Sequence, residues 1–133
     1  MRKMQLMRTG IHLHVSLLYA AYGWLLLSGV LHFGIDVVAQ YARGKRQAGA
    51  ATTLCYGLNS AYALSQILFA ALALLALSQE LIVLGRWPGL ILGFLAASSW
   101  MVLCVLFLEY RQLRMTVALF AALLVAVALT PYR

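Results

Sequence analysis

Four long blocks of this chain are free of charge. Thr9 to Ile35, Gln47 to Gln79, Trp87 to Leu108 and Met115 to Tyr132 contain no Asp, Glu, Lys or Arg, and they are 27, 33, 22 and 18 residues long. About 20 mostly apolar residues carry an α-helix across a bilayer core of roughly 30 Å, so each block holds one span and none comfortably holds two. Runs such as LFAALALLAL and ALFAALLVAVAL do not alternate apolar with polar side chains, which argues against a porin-like barrel. The reading is an all-α integral membrane protein, a four-transmembrane-helix bundle with short loops. It forms a single membrane domain over residues 1–133, with spans at about 13–39, 53–77, 88–108 and 113–131.

Composition agrees with this. The chain is 65% hydrophobic and has ten Lys and Arg against three Asp and Glu among 133 residues, where a soluble domain would have about a quarter of its residues charged. The N-terminal MRKMQLMR leads into an apolar run longer than the roughly 7–15 residues of a signal-peptide core. No small-residue cleavage site follows, so the run is read as a retained first helix. The net charge of +7 sits in clusters of two or three cations at span ends, the pattern of membrane flanks against anionic headgroups rather than of nucleic-acid binding. Cys55 and Cys104 have no metal-ligand or CxxC spacing and read as small buried hydrophobes.

The connections differ in character. QYARGKRQAGAATT suits a loop with a helix start at Thr52 or Thr53. SQELIVLGRWPG has a short apolar stretch suited to the interface, then Trp87 at headgroup level and Pro88 in a first helical turn. EYRQLR is a tight hairpin with Glu109, Arg111 and Arg114 as a charged cap. Four spans put both termini and the second connection on one side. That side holds Arg2, Lys3, Arg8, Arg86 and Arg133, and the other holds Arg43, Lys45, Arg46, Arg111 and Arg114. The positive-inside rule is tied at five each, as a chain inserting both ways would show, so the orientation in what we take to be a bacterial inner membrane is undetermined.

Two small-residue stripes are candidate helix-packing faces, Gly57, Ala61 and Ser65 on helix two and Ala118, Ala122 and Ala126 on helix four, because small side chains let backbones approach. Their partners would lie within the bundle, in a second copy or in another membrane protein. The polar residues suggest a site. At 100° per residue His32, Asp36 and Gln40 share one face of helix one. Asn59, Tyr62 and Gln66 group on helix two opposite its small stripe, with Tyr56 further round. The antiparallel hairpin brings His32, Asp36 and Asn59 to one depth, where they can meet. A carboxylate near hydrocarbon must be paired, hydrated or protonated; His32 is one candidate partner for Asp36, and Arg43 reaching back from the loop is another.

Other chemistry has less support. His12, His14 and His32 lie on or before helix one and helices two to four have no histidine, so bis-histidine haem ligation within one chain is excluded. His32, Asp36 and Cys55 would be an unusual zinc set with no fourth ligand. No nucleophile with a base and orienter, phosphate-binding glycine loop or HExxH is present, so no cofactor and no catalytic residue are assigned. The functional expectation is a protein that acts by binding, as an accessory or regulatory subunit of a larger membrane complex or as a homo-oligomer. A proton- or cation-coupled transporter working as a dimer is the alternative, and a lysis or immunity protein a third. In size, span number and charge tie the chain is similar to the small multidrug-resistance transporters, whose essential acidic residue lies mid-way along helix one, whereas Asp36 lies near its end.

Overall fold

The computed structural model describes residues 2–44, 47, 49–79, 82–108 and 110–130. The first helix, α1, is one continuous rod of three parts: an α-helical stretch, Arg2–His32, a π-helical segment, Phe33–Ala39, and a last α turn, Gln40–Ala42. It is followed by α2 at Ala50–Ser78, a 3-10 turn at Ile82–Gly85, α3 at Trp87–Leu106 and α4 at Arg111–Leu129. Each helix has a segment long and apolar enough to cross a membrane, Gly10–Ala42 in the first case. The chain is an all-α, four-helix integral membrane protein.

Local chemistry explains the boundaries. Pro88 sits in the first turn of α3, where a missing N–H costs no hydrogen bond. The start of α2 differs from the expectation: Gly49 precedes the helix, while the Thr52 and Thr53 hydroxyls donate back to the Gln47 and Gly49 carbonyls. Gly49 holds the N-cap position and both threonines lie within the helix, so neither caps it.

The inward face of α1 carries His14, Leu18, Ala21, Tyr22, Leu25, Gly29 and His32 at helical spacing, all buried. α1 packs closely on α2 and on α4, and α3 on α4. The α1–α2 approach is tightest at Gly29, where a Cβ would lie 2.9 Å from Ile67 Cγ1 and 3.3 Å from the Ala63 carbonyl oxygen. α1 is tied to α4 by Trp24 Nε1, which donates to the Thr116 carbonyl at 3.1 Å.

Large side chains close the wider gap between α2 and α3. Trp100 Nε1 donates to Ser65 Oγ at 3.0 Å, the Cys104 thiol to the Tyr62 hydroxyl at 3.1 Å, and Phe69 packs edge-on against Trp100. Tyr22 and Phe120 complete this aromatic centre. Outward, exposed residues such as Leu68, Leu72, Ile91 and Leu95 present the apolar surface that hydrocarbon solvates.

The apolar stretch of the second connection folds against one end of the bundle. Gly85 is buried against the His14 imidazole and Leu18, and Leu84 packs on the core. Beside it His14 Nδ1 donates at 2.8 Å to Thr130 Oγ1, whose own proton goes to the Val127 carbonyl.

Candidate functional site

The other end of the bundle holds the polar cluster. His32 Nδ1 donates to Asp36 Oδ2 at 2.7 Å and Gln40 Nε2 to Asp36 Oδ1 at 3.1 Å. An ionised carboxylate is acceptor-only, so the first of these bonds places an imidazole proton on Nδ1. The His32 side chain is 3% exposed and that of Asp36 28%. Asp36 lies inside the π-helical segment, where i→i+5 bonding widens the helix, a feature that recurs at functional sites. Asp36, Gln112 and Leu113 line the same cleft. The carboxylate is therefore level with the first turn of α4, beside the cationic hairpin that marks headgroup depth.

The partner of His32 on α2 is Tyr62, whose ring stands edge-on to the imidazole with centroids 5.6 Å apart. The Tyr62 hydroxyl accepts from Gln66 Nε2 at 3.0 Å and from the Cys104 thiol. Asn59 is buried at the neighbouring turn but does not bond to His32 or Asp36. Its Nδ2 donates to the Cys55 carbonyl at 2.8 Å and contacts the Cys55 sulfur at 3.5 Å. Tyr56 packs edge-on against Tyr41 at 5.8 Å, away from the cluster. His32 Nε2, Asn59 Oδ1 and the Tyr22 hydroxyl are buried without a hydrogen-bond partner among the described residues.

The charged residues of this end divide. Arg43 is exposed and makes no ion pair with Asp36. Arg111 is exposed, whereas half-buried Arg114 donates through Nε to the Cys104 carbonyl at 3.4 Å, in the last turn of α3, where a cation also meets the negative end of the helix dipole. Lys45, Arg46 and Glu109 lie outside the described residues. Among the described residues no three His, Cys, Asp or Glu side chains gather to hold a metal ion.

The small-residue stripes do not form the bundle's interior. Gly57, Ala61, Ala118 and Ala122 are exposed on its outside and Ala126 is half-buried, while exposed Ser65 reaches the interior through its bond from Trp100 and donates to the Tyr62 carbonyl. On α2 the reason is hydrogen bonding. Its small and polar stripes lie on opposite sides, so only one can face inward, and hydrocarbon cannot satisfy Asn59, Tyr62 and Gln66.

Beside Asp36 a cleft of about 200 Å³ opens sideways between α1 and α4. Its polar lining comprises Trp24, Ser28, His32, Asp36, Gln112 and Thr116. Reading the sequence for titratable residues misses the Trp24, Ser28 and Thr116 part of this wall. Their signal on α1 is nevertheless present: Trp24, Ser28, His32, Asp36 and Gln40 recur every fourth residue, a single ridge along the helix.

No family model, curated protein or solved structure matches the chain.

The cluster can hold a charge at a fixed position.

Proposed function

We propose that this chain acts by binding, and that its site is the end of α1 where Asp36, held by His32 and Gln40, stands at the mouth of the α1–α4 cleft. The observation that carries the reading is the hydrogen-bonded row of His32, Asp36 and Gln40 with its carboxylate partly open beside a cleft. A carboxylate this close to hydrocarbon must be paired, hydrated or protonated, and this one is bonded on both oxygens yet still open to the cleft. The outward small faces of α2 and α4 support an accessory or regulatory subunit, or a homo-oligomer, because backbones can pack closely there. We place the protein in a bacterial inner membrane.

The test is purification from its own membranes without crosslinking, alongside Asp36→Asn and His32→Ala in living cells. A stoichiometric membrane partner, or a defined oligomer, together with a phenotype in the Asp36 variant supports the reading. A chain that purifies alone, in cells indifferent to both substitutions, overturns it.

One observation favours coupled transport as a second reading: His32 Nε2 is buried and unbonded behind its bond to Asp36. Proteoliposomes that dissipate an imposed proton gradient with the wild-type chain, but not with Asp36→Asn, would establish it.

A further inference from the structure

We propose that the α1–α4 cleft takes the protonated primary amine of a membrane amphiphile, an inference that rests on the binding reading above and names its ligand. The cleft presents lone pairs, because its hydroxyl protons are already spent. Ser28 Oγ donates to the Leu25 carbonyl at 3.0 Å and Thr116 Oγ1 to the Leu113 carbonyl at 2.8 Å, so each turns acceptor capacity toward a ligand. Trp24 Nε1 is engaged by the Thr116 carbonyl and His32 Nδ1 by Asp36. Gln112 is the one lining side chain that still has an accessible N–H to offer.

Asp36 supplies the charge. A carboxylate has about four lone-pair sites, and the bonds from His32 and Gln40 occupy one on each oxygen. A wall of acceptors around a partly open carboxylate offers an anion inside the cleft no donor beyond Gln112 and suits a cation rich in N–H donors. A primary ammonium has three such donors, whereas a trimethylammonium of the same charge has none.

The shape calls for an amphiphile. Leu27, Leu31 and Ile35 line the opening and are exposed toward lipid. A volume of about 200 Å³ equals that of six or seven waters at roughly 30 Å³ each, enough for a headgroup amine and its first methylenes while the chain continues along α1. The amine could belong to an aminophospholipid or to a free fatty amine; the chemistry recognised is the same.

The test uses the full-length chain in vesicles of equal phosphatidylethanolamine and phosphatidylcholine, released gently and weighed by native mass spectrometry. Retention of the ethanolamine lipid over the choline lipid by about tenfold is expected, the return of one charge-assisted hydrogen bond. Asp36→Asn, which keeps an acceptor but removes the charge, and Thr116→Val, which keeps the shape but removes the lone pairs, should both bring the ratio toward one. Leu68→Ala on the outer face should leave it unchanged. Displacement of the retained lipid by octylamine and not by octyltrimethylammonium assigns the cleft to primary amines at large, and resistance to both assigns it to the whole lipid; either result supports the ammonium proposal. Equal retention of the two lipids by the wild type, or a preference that survives Asp36→Asn, overturns it. If that happens while Asp36→Asn still produces a phenotype in cells, the binding reading stands without the amine; indifference to Asp36 in both assays removes both.

Discussion

His32 and Asp36, one turn apart on α1, meet at 2.7 Å, and of the two only the carboxylate reaches the surface. Removing the acceptor alone strands the imidazole N–H in the bundle. Asp36→Ala should therefore cost about 1–3 kcal/mol, whereas adding His32→Phe removes both partners and should restore part of that loss. Reversible unfolding in mixed micelles measures both; a double variant as unstable as the sum of the single ones would show that the residues act independently.

Two glycines separate the faces of the bundle. At Gly29 a Cβ would press on Ile67 and the Ala63 carbonyl, whereas at Gly57 it would meet nothing within 4 Å. Gly29→Ala should destabilise by about 1–3 kcal/mol through overpacking. Gly57→Ala should be neutral or stabilising by about 0.5–1 kcal/mol, since alanine is the better helix former. Melting temperatures of the purified variants test the contrast. A destabilised Gly57→Ala in membranes but not in detergent would locate a partner helix on that face.

The α2–α3 seam depends on Trp100 Nε1 and Ser65 Oγ. Trp100→Phe and Ser65→Ala should each cost about 1 kcal/mol from the lost bond, with the phenylalanine variant losing some packing besides. Combined, they should cost less than their sum, because the second substitution finds the bond already gone; additivity in a double-mutant cycle would refute the bond.

The two thiols should react differently. Cys104 is buried and bonded to Tyr62, while Cys55 is half-buried and lines an apolar groove of about 350 Å³ between α2 and the end of α3. A membrane-permeant maleimide applied to the folded protein should add one label, at Cys55, as read by intact mass. Two labels without denaturation would show that the Tyr62–Cys104 contact opens readily.

Much of this architecture was legible in the sequence because hydrocarbon imposes one rule throughout a span. Thr9 to Ile35 has no charge and must be helical, and the same logic placed α2, α3 and α4. The row of His32, Asp36 and Gln40 was legible because their four-residue spacing is local to one helix. What crossed between helices was harder to read. Asn59 was equally able, on a wheel, to reach His32 or its own turn, and it bonds to Cys55 because that carbonyl is always within reach. The preference of α2 for its polar face over its glycine and alanine stripe required weighing hydrogen bonds against close approach, and the abundance of alanine obscured that choice. Trp24 and Thr116 meet across 92 positions of chain, a distance over which periodicity carries no information.

The π-helical segment Phe33–Ala39 sets the angular phase of everything beyond it. Each residue in a regular helix turns the chain by about 100° and advances it by about 1.5 Å. A π turn holds one residue more than an α turn, so deleting one there, Gly34 for example, would let α-helical winding resume with Asp36 three and Gln40 seven positions after His32, still on one face. A change of one codon thus turns His32 and Asp36 from four-residue into three-residue neighbours while leaving Asp36 and Gln40 four apart, so length at this point of the gene sets the geometry of the pair as directly as the identity of Asp36 does.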